Sequence, residues 1–185
     1  MELMETKLSG VVVISPTVHG DNRGWFMETH SSTRLIENGI HLNFVQDNHS
    51  FSSEKGTLRG LHYQMMPKAQ TKLVRCTRGS IYDVAVDLRV DSPTFKQWFG
   101  IELSAENKKQ LLVPKGFAHG FITLTNDVEV QYKVDEVYSP EHDRNILWND
   151  PEIGIEWPAL EVTLSEKDRN APLLRDADNN FRVEN

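Results

Sequence analysis

Arg59, His62 and Lys72 bring three complementary chemistries into one stretch of chain, residues 56–77, GTLRGLHYQMMPKAQTKLVRCT. A guanidinium can hold a phosphate through paired donors. An imidazole titrates near neutral pH and can accept a proton. An ammonium can stabilise a developing oxyanion. Arg59 and His62 lie three residues apart, in a segment of turn and strand character with little helical periodicity. The plainer alternative makes Arg59 and Lys72 solvated charges and His62 an ordinary strand histidine. Residue types alone leave both readings open.

Strands must position these groups. If Arg59 and His62 share one regular strand, alternation points them to opposite faces. Either Arg59 precedes the strand, or a bulge intervenes, or Arg59 serves another pocket, such as that of a partner subunit. Elsewhere the period of two is plain. Over 80–89, Tyr82, Val84, Val86 and Leu88 share one face, and Ile81, Asp83, Ala85 and Asp87 share the other. Residues 96–103, 108–113, 120–125 and 128–134 repeat the pattern, broken by Asp91-Ser92-Pro93, Pro114-Lys115-Gly116 and Asn126-Asp127. Before them, 11–14 is a β-branched run ended by Pro16, 19–24 reads as a turn, 25–29 as a strand and 43–52 as extended. Residues 32–38 read as a short helix, capped by Ser31 or Ser32 and stopped by Gly39. Many short strands with turn signals predict an all-β sandwich or barrel. Asn149-Asp150-Pro151 and Trp157-Pro158 break regular structure, and Ser165 opens a second short helix, so 150–185 is expected to be irregular and helical.

The 185 residues suit one domain, 1–185, with no internal repeat or linker. A net charge of −7 argues against nonspecific nucleic-acid binding. Cys76 is the only cysteine, which excludes an intramolecular disulfide and fits a reducing compartment. With no apolar run of signal-peptide or membrane-span length, the expectation is a cytoplasmic protein with no membrane partner.

Pro114-x-Gly116-x-x-His119 resembles the second motif of the cupin superfamily, and Gly56 followed after five residues by His62 resembles the start of the first. That resemblance implies a cupin-type double-stranded β-helix, a jelly roll with short peripheral helices. Metal-binding cupins continue with a second histidine two residues on. Gln64 stands there, and no His-x-His occurs. Two histidines without a third ligand make a poor transition-metal site, so no metal is expected.

A fuller set of motifs is similar to the dTDP-4-dehydrorhamnose 3,5-epimerase family, from about residue 10 to about residue 170. It comprises Arg23-Gly24-x-Phe26, Gln46-Asp47-Asn48, Leu58 to Gln64, Lys72-Leu73-Val74, Gly116 to Phe121, and Tyr132. The resemblance implies epimerisation at C3 and C5 of a nucleotide-linked 4-keto sugar, with no cofactor. Both protons are alpha to the ketone, so the reaction needs a base, an opposed acid and a stabiliser of the enolate oxygen. By resemblance His62 is the base, Asp168 its partner, Lys72 the enolate stabiliser and Tyr132 the proton donor. Plainer readings exist for three of them. Ser165-x-x-Asp168 is a helix-cap pattern, Lys72 fits a strand surface, and Tyr132 alternates with Val128, Val130 and Val134 as a core residue would. The resemblance assigns Arg23 and Arg59 to the diphosphate, with Lys167 a further phosphate contact. It assigns Phe26, Glu28, Gln46, Asp47, Asn48 and His119 to the nucleotide or sugar, and Tyr138 to stacking on thymine. Asp143 stands where the family often has glutamate. The family is typically a homodimer with exchanged N-terminal strands, here within about residues 1–50. Rival expectations are a single-centre epimerase or keto-isomerase on the same sugar, a metal cupin, and a non-catalytic sugar-binding jelly roll.

Overall fold

The computed structural model describes residues 1–183. In chain order the strands are β1 Glu2–Glu5, β2 Val12–Ser15, β3 Val18–Asp21 and β4 Gly24–Met27, then β5 Gln46–Ser52, β6 Leu58–Gln64, β7 Lys72–Arg78 and β8 Ser80–Asp87. They continue as β9 Trp98–Ser104, β10 Gln110–Val113, β11 Phe117–Thr123, β12 Val128–Val134 and β13 Asp143–Asn145. Helix α1 spans Ser32–Glu37 and α2 spans Glu166–Arg169. Two antiparallel sheets result. One is ordered β1-β2-β10-β7-β12-β5 and the other β13-β6-β11-β8-β9, with β3 and β4 as a separate hairpin. This is the all-β architecture that the strand pattern predicts, in the jelly-roll form with short peripheral helices that the cupin resemblance implies.

Alternation sorts the apolar residues into three layers. Between the sheets lie Val74, Ile81, Ala85, Leu111, Phe117, Phe121, Val128 and Val130. The opposite faces of β8 and β11 (Val84, Val86, Ala118) pack under Ile146, Ile153, Leu174 and Phe181, so the C-terminal stretch roofs the five-stranded sheet. Leu35 of α1 covers Val12, Ile14, Leu73 and Leu112 on the outside of the six-stranded sheet. The helix forms where expected: Ser31 Oγ accepts from Arg34 N, and Gly39 ends it at φ 78°. Ser165 likewise caps α2.

Several elements depart from the sequence reading: the strands expected over 96–103, 108–113 and 120–125 are Trp98–Ser104, Gln110–Val113 and Phe117–Thr123. The turn expected over 19–24 contracts to Asn22-Arg23, because the Asp21 carboxylate accepts the Arg23 backbone N–H and closes the loop in two residues. His19–Asp21 therefore pair as strand. The strand expected to run to residue 89 ends at Asp87, whose carboxylate folds back to accept from Arg89, Ser92 and Thr94. β1 and β13 are short edge strands without an alternating apolar signal. Of the expected irregular stretch 150–185, the last two positions lie outside the described residues. No helix among the described residues is long and apolar enough to cross a membrane.

Candidate active site

The conflict between Arg59 and His62 is settled by a bulge. Across the β6–β11 ladder, His62 pairs with His119 and Arg59 with Phe121. Two residues on β6, Gly60 and Leu61, therefore oppose the single Gly120 on β11. The extra residue resets alternation. Leu61 packs outward into the layer under the C-terminal stretch, while Arg59 and His62 line the same cavity. Only glycine serves at position 60. Its φ is 137°, and a Cβ there would lie 2.6 Å from Gly120 Cα.

The cavity, about 440 Å³, opens between the sheets. His62 and His119 line it from the five-stranded sheet, Lys72 and Tyr132 from the six-stranded sheet, and Lys167 and Asp168 from α2. His62 Nε2 donates to Asp168 Oδ1 at 2.6 Å. The His62 side chain is 32% exposed and that of Asp168 4%, so the ring meets solvent while its partner is buried. With Nε2 committed to the carboxylate, Nδ1 is the nitrogen left to accept a proton. Burial alone would raise the Asp168 carboxyl. Hydrogen bonds from His62, Ser165 and the Gly60 backbone, with the His62 charge, outweigh it and hold the group below its ordinary value. Asp168 also donates its backbone N–H to Ser165 Oγ. The capping and pairing readings of Asp168 thus hold together.

Lys72 Nζ lies 6.0 Å from the centre of the Tyr132 ring. Enclosure pushes the ammonium down to about 8, against the pull of Asp83 and Asp143, which favour its charge. Burial also raises the Tyr132 phenol, which keeps it protonated. Tyr132 packs against the inner core while also lining the cavity. Arg59 is anchored by Ser52 Oγ at 3.1 Å and the Phe51 carbonyl at 3.0 Å. Among the described residues it has no carboxylate partner, so its charge is unneutralised.

At the cavity edge Asp143 accepts from Lys167 at 2.5 Å and from the Tyr138 hydroxyl at 3.3 Å. Gln46 joins Tyr138 N to Asn48, and Asn48 pairs with Tyr132 across β5 and β12. Four expected residues are not brought here within one chain. Arg23, 85% exposed, pairs with Asp21 on the β3–β4 hairpin, and Phe26 on the same hairpin is 72% exposed. Glu28 pairs with Arg34, and the Asp47 carboxylate with Lys133. Gln64 bonds to the backbone at Lys68, Val137 and Ser139. No group of three or more His, Cys, Asp or Glu side chains is placed to hold a metal among the described residues.

The sequence reading missed Asp83. It is fully buried, and Oδ1 accepts from His119 Nε2 at 2.8 Å. The signal was present: Asp83 shares its strand face with the core residues Ile81 and Ala85, where a carboxylate needs a partner.

A family model described as dTDP-4-dehydrorhamnose 3,5-epimerase matches residues 5–176. The enzyme of that name from Shigella flexneri is 51% identical over 179 residues, covering 96% of this chain and 98% of its own. The Bacillus anthracis dTDP-4-dehydrorhamnose 3,5-epimerase, solved with TDP and PPi bound, superposes with a TM-score of 0.91 at 55% identity, over 93% of this chain and 98% of the other. The Legionella pneumophila dTDP-6-deoxy-D-glucose-3,5-epimerase, in complex with dTDP-4-keto-L-rhamnose, gives 0.92 at 46% identity, over 96% and 94%. Matching over nearly its whole length in sequence and in fold, the chain belongs to the dTDP-4-dehydrorhamnose 3,5-epimerase family.

Proposed function

We propose that the chain epimerises C3 and C5 of dTDP-4-dehydro-6-deoxy-D-glucose, giving dTDP-4-dehydro-L-rhamnose for rhamnose synthesis, without cofactor or metal. One observation carries the reading: the His62–Asp168 pair and the Tyr132 phenol project into one cavity from different sheets. Inversion requires removal of a proton on one face and its return on the other, and two walls supply the two groups. His62, oriented by Asp168, takes the proton. Lys72 stabilises the enolate oxygen, and Tyr132 returns a proton. Arg59 and Lys167 hold the diphosphate, His119 bonds to the sugar, and Gln46, Asn48, Tyr138 and Asp143 form the nucleotide end.

The remaining assigned residues belong to a homodimer in this reading. The β3–β4 hairpin exposes Trp25 and Phe26 beside Arg23. Such an apolar tip is costly in water and suits burial on a second copy. There Arg23, Phe26 and Glu28 would complete the partner's cavity, with Asp47 at the same nucleotide end. We read each copy as one jelly-roll domain, working in the cytoplasm.

The test is proton NMR in heavy water with the nucleotide sugar. Wild type should incorporate deuterium at both C3 and C5. His62→Ala should lose exchange at both carbons, by on the order of 10² to 10⁴-fold. Tyr132→Phe should keep exchange while forming far less inverted product. Exchange surviving in His62→Ala would assign the base elsewhere.

A further inference from the structure

Asp83 is a buried carboxylate that the proposed mechanism leaves unused. It sits on β8 between Ile81 and Ala85, inside the core layer, and is fully excluded from solvent. Its Oδ1 is satisfied by His119, while Oδ2 is buried and has no hydrogen-bond partner among the described residues. A buried carboxylate oxygen without a donor costs stability unless nearby positive charge offsets it. Three groups of the interior feel this carboxylate. His119 bonds to it, Cys76 is a neutral thiol raised by burial to about 11, and Lys72 is the ammonium that it favours. Other groups also face Lys72. Asp143 from β13 supports its charge, Lys167 from α2 opposes it, and the Tyr132 ring lies beside it from β12. Arg59 and His62 of β6 and Asp168 of α2 line the same cavity.

We propose that Asp83 is a positioning residue that fixes two groups on opposite walls at once: it pins His119 through Nε2 and provides the buried counter-charge that keeps Lys72 an ammonium. The first action follows from the bond itself. With Nε2–H committed to Asp83, Nδ1 is the only ring nitrogen left for a ligand. The second follows from placement. Lys72 and His119 line the same cavity from facing sheets, and Asp83 lies directly behind His119, so its charge draws on the Lys72 ammonium across that cavity. The cavity therefore contains two imidazole–carboxylate pairs of different use. In His62–Asp168 the imidazole meets solvent and is suited to proton transfer, whereas His119–Asp83 is buried throughout and suited to holding geometry and charge.

This inference rests on the epimerase reading for Lys72, and its test separates the two. Asp83→Asn keeps an oxygen for His119 Nε2–H and removes the charge. The alkaline limb of kcat/KM should then move down by roughly one pH unit relative to wild type, with dTDP affinity unchanged because Asp83 is fully buried and bonded to His119 rather than to the proposed diphosphate residues Arg59 and Lys167. A limb that stays in place, whatever the overall rate, would reduce Asp83 to a packing role. ¹⁵N NMR of histidine-labelled wild-type protein needs neither turnover nor a folded variant. It should find His119 Nε2 protonated, and an unprotonated Nε2 at neutral pH would overturn the proposal. Absence of turnover in wild type would instead sink the epimerase reading and leave the NMR result standing.

Discussion

At the scale of single residues, Lys72 makes the sharpest demand. A lysine acts on an enolate oxygen only while charged, and enclosure has brought its ordinary value of 10.5 down to about 8. The sign is fixed: the group is cationic below that value and neutral above it. kcat/KM should therefore fall above about pH 8. Tyr132 cannot cause this limb, because burial raises its phenol above 10. Lys72→Arg carries a charge that does not titrate in this range, so its profile should lose the limb even if its rate is lower. A limb near pH 8 that persists in Lys72→Arg would assign it to another group. Residue types were legible in the sequence here, but their surroundings were not. Lys72 read equally well as a surface lysine, because nothing in KLVRCT records that a second sheet closes over it.

At the scale of elements, strand alternation was the most reliable signal, and it failed where function enters. Regular period two in residues 80–89 and 128–134 gave β8 and β12 almost to the residue. The same rule set Arg59 against His62. The structure evades it with one extra residue on β6, where Gly60 and Leu61 together face Gly120, and a bulge leaves no periodic trace in sequence. Gly60→Ala tests how much depends on it. Overpacking against Gly120 costs about 1–3 kcal/mol, and a side chain held at φ 137° adds a comparable strain. Thermal melting should shift down by roughly 2–4 °C for each kcal/mol. Activity should fall further than stability predicts, since any repair of the ladder turns Arg59 or His62 out of the cavity. A Gly60→Ala enzyme with wild-type Tm and rate would show that the bulge is dispensable.

At the scale of the whole molecule, the prominent unsolved surface is the β3–β4 hairpin. Arg23→Ala and His62→Ala should each be nearly inactive alone. If the hairpin completes a partner's cavity, mixing the two variants with subunit exchange should restore about a quarter of wild-type activity, because half the dimers carry one intact site of two. No recovery on mixing would place Arg23 in its own subunit's site. Exhaustive chelation should leave turnover unchanged, and rescue by zinc, iron or manganese after chelation would refute metal independence. Oligomeric placement was never legible in the sequence. Alternation reports which side chains face inward within a chain, and is silent about which copy's cavity an exposed arginine reaches. Asp168 carries a different consequence. Its bond to His62 joins residues 106 positions apart, and Asp168 comes from the stretch that also roofs the five-stranded sheet. During synthesis the imidazole leaves the ribosome long before its carboxylate does. The sheets, Arg59 and the Tyr132 phenol all exist before the His62 ring is oriented. Within one copy, the imidazole–carboxylate pair is thus assembled only after the C-terminal stretch has been made, and loosening of that stretch would disorient His62 while leaving the sheets in place.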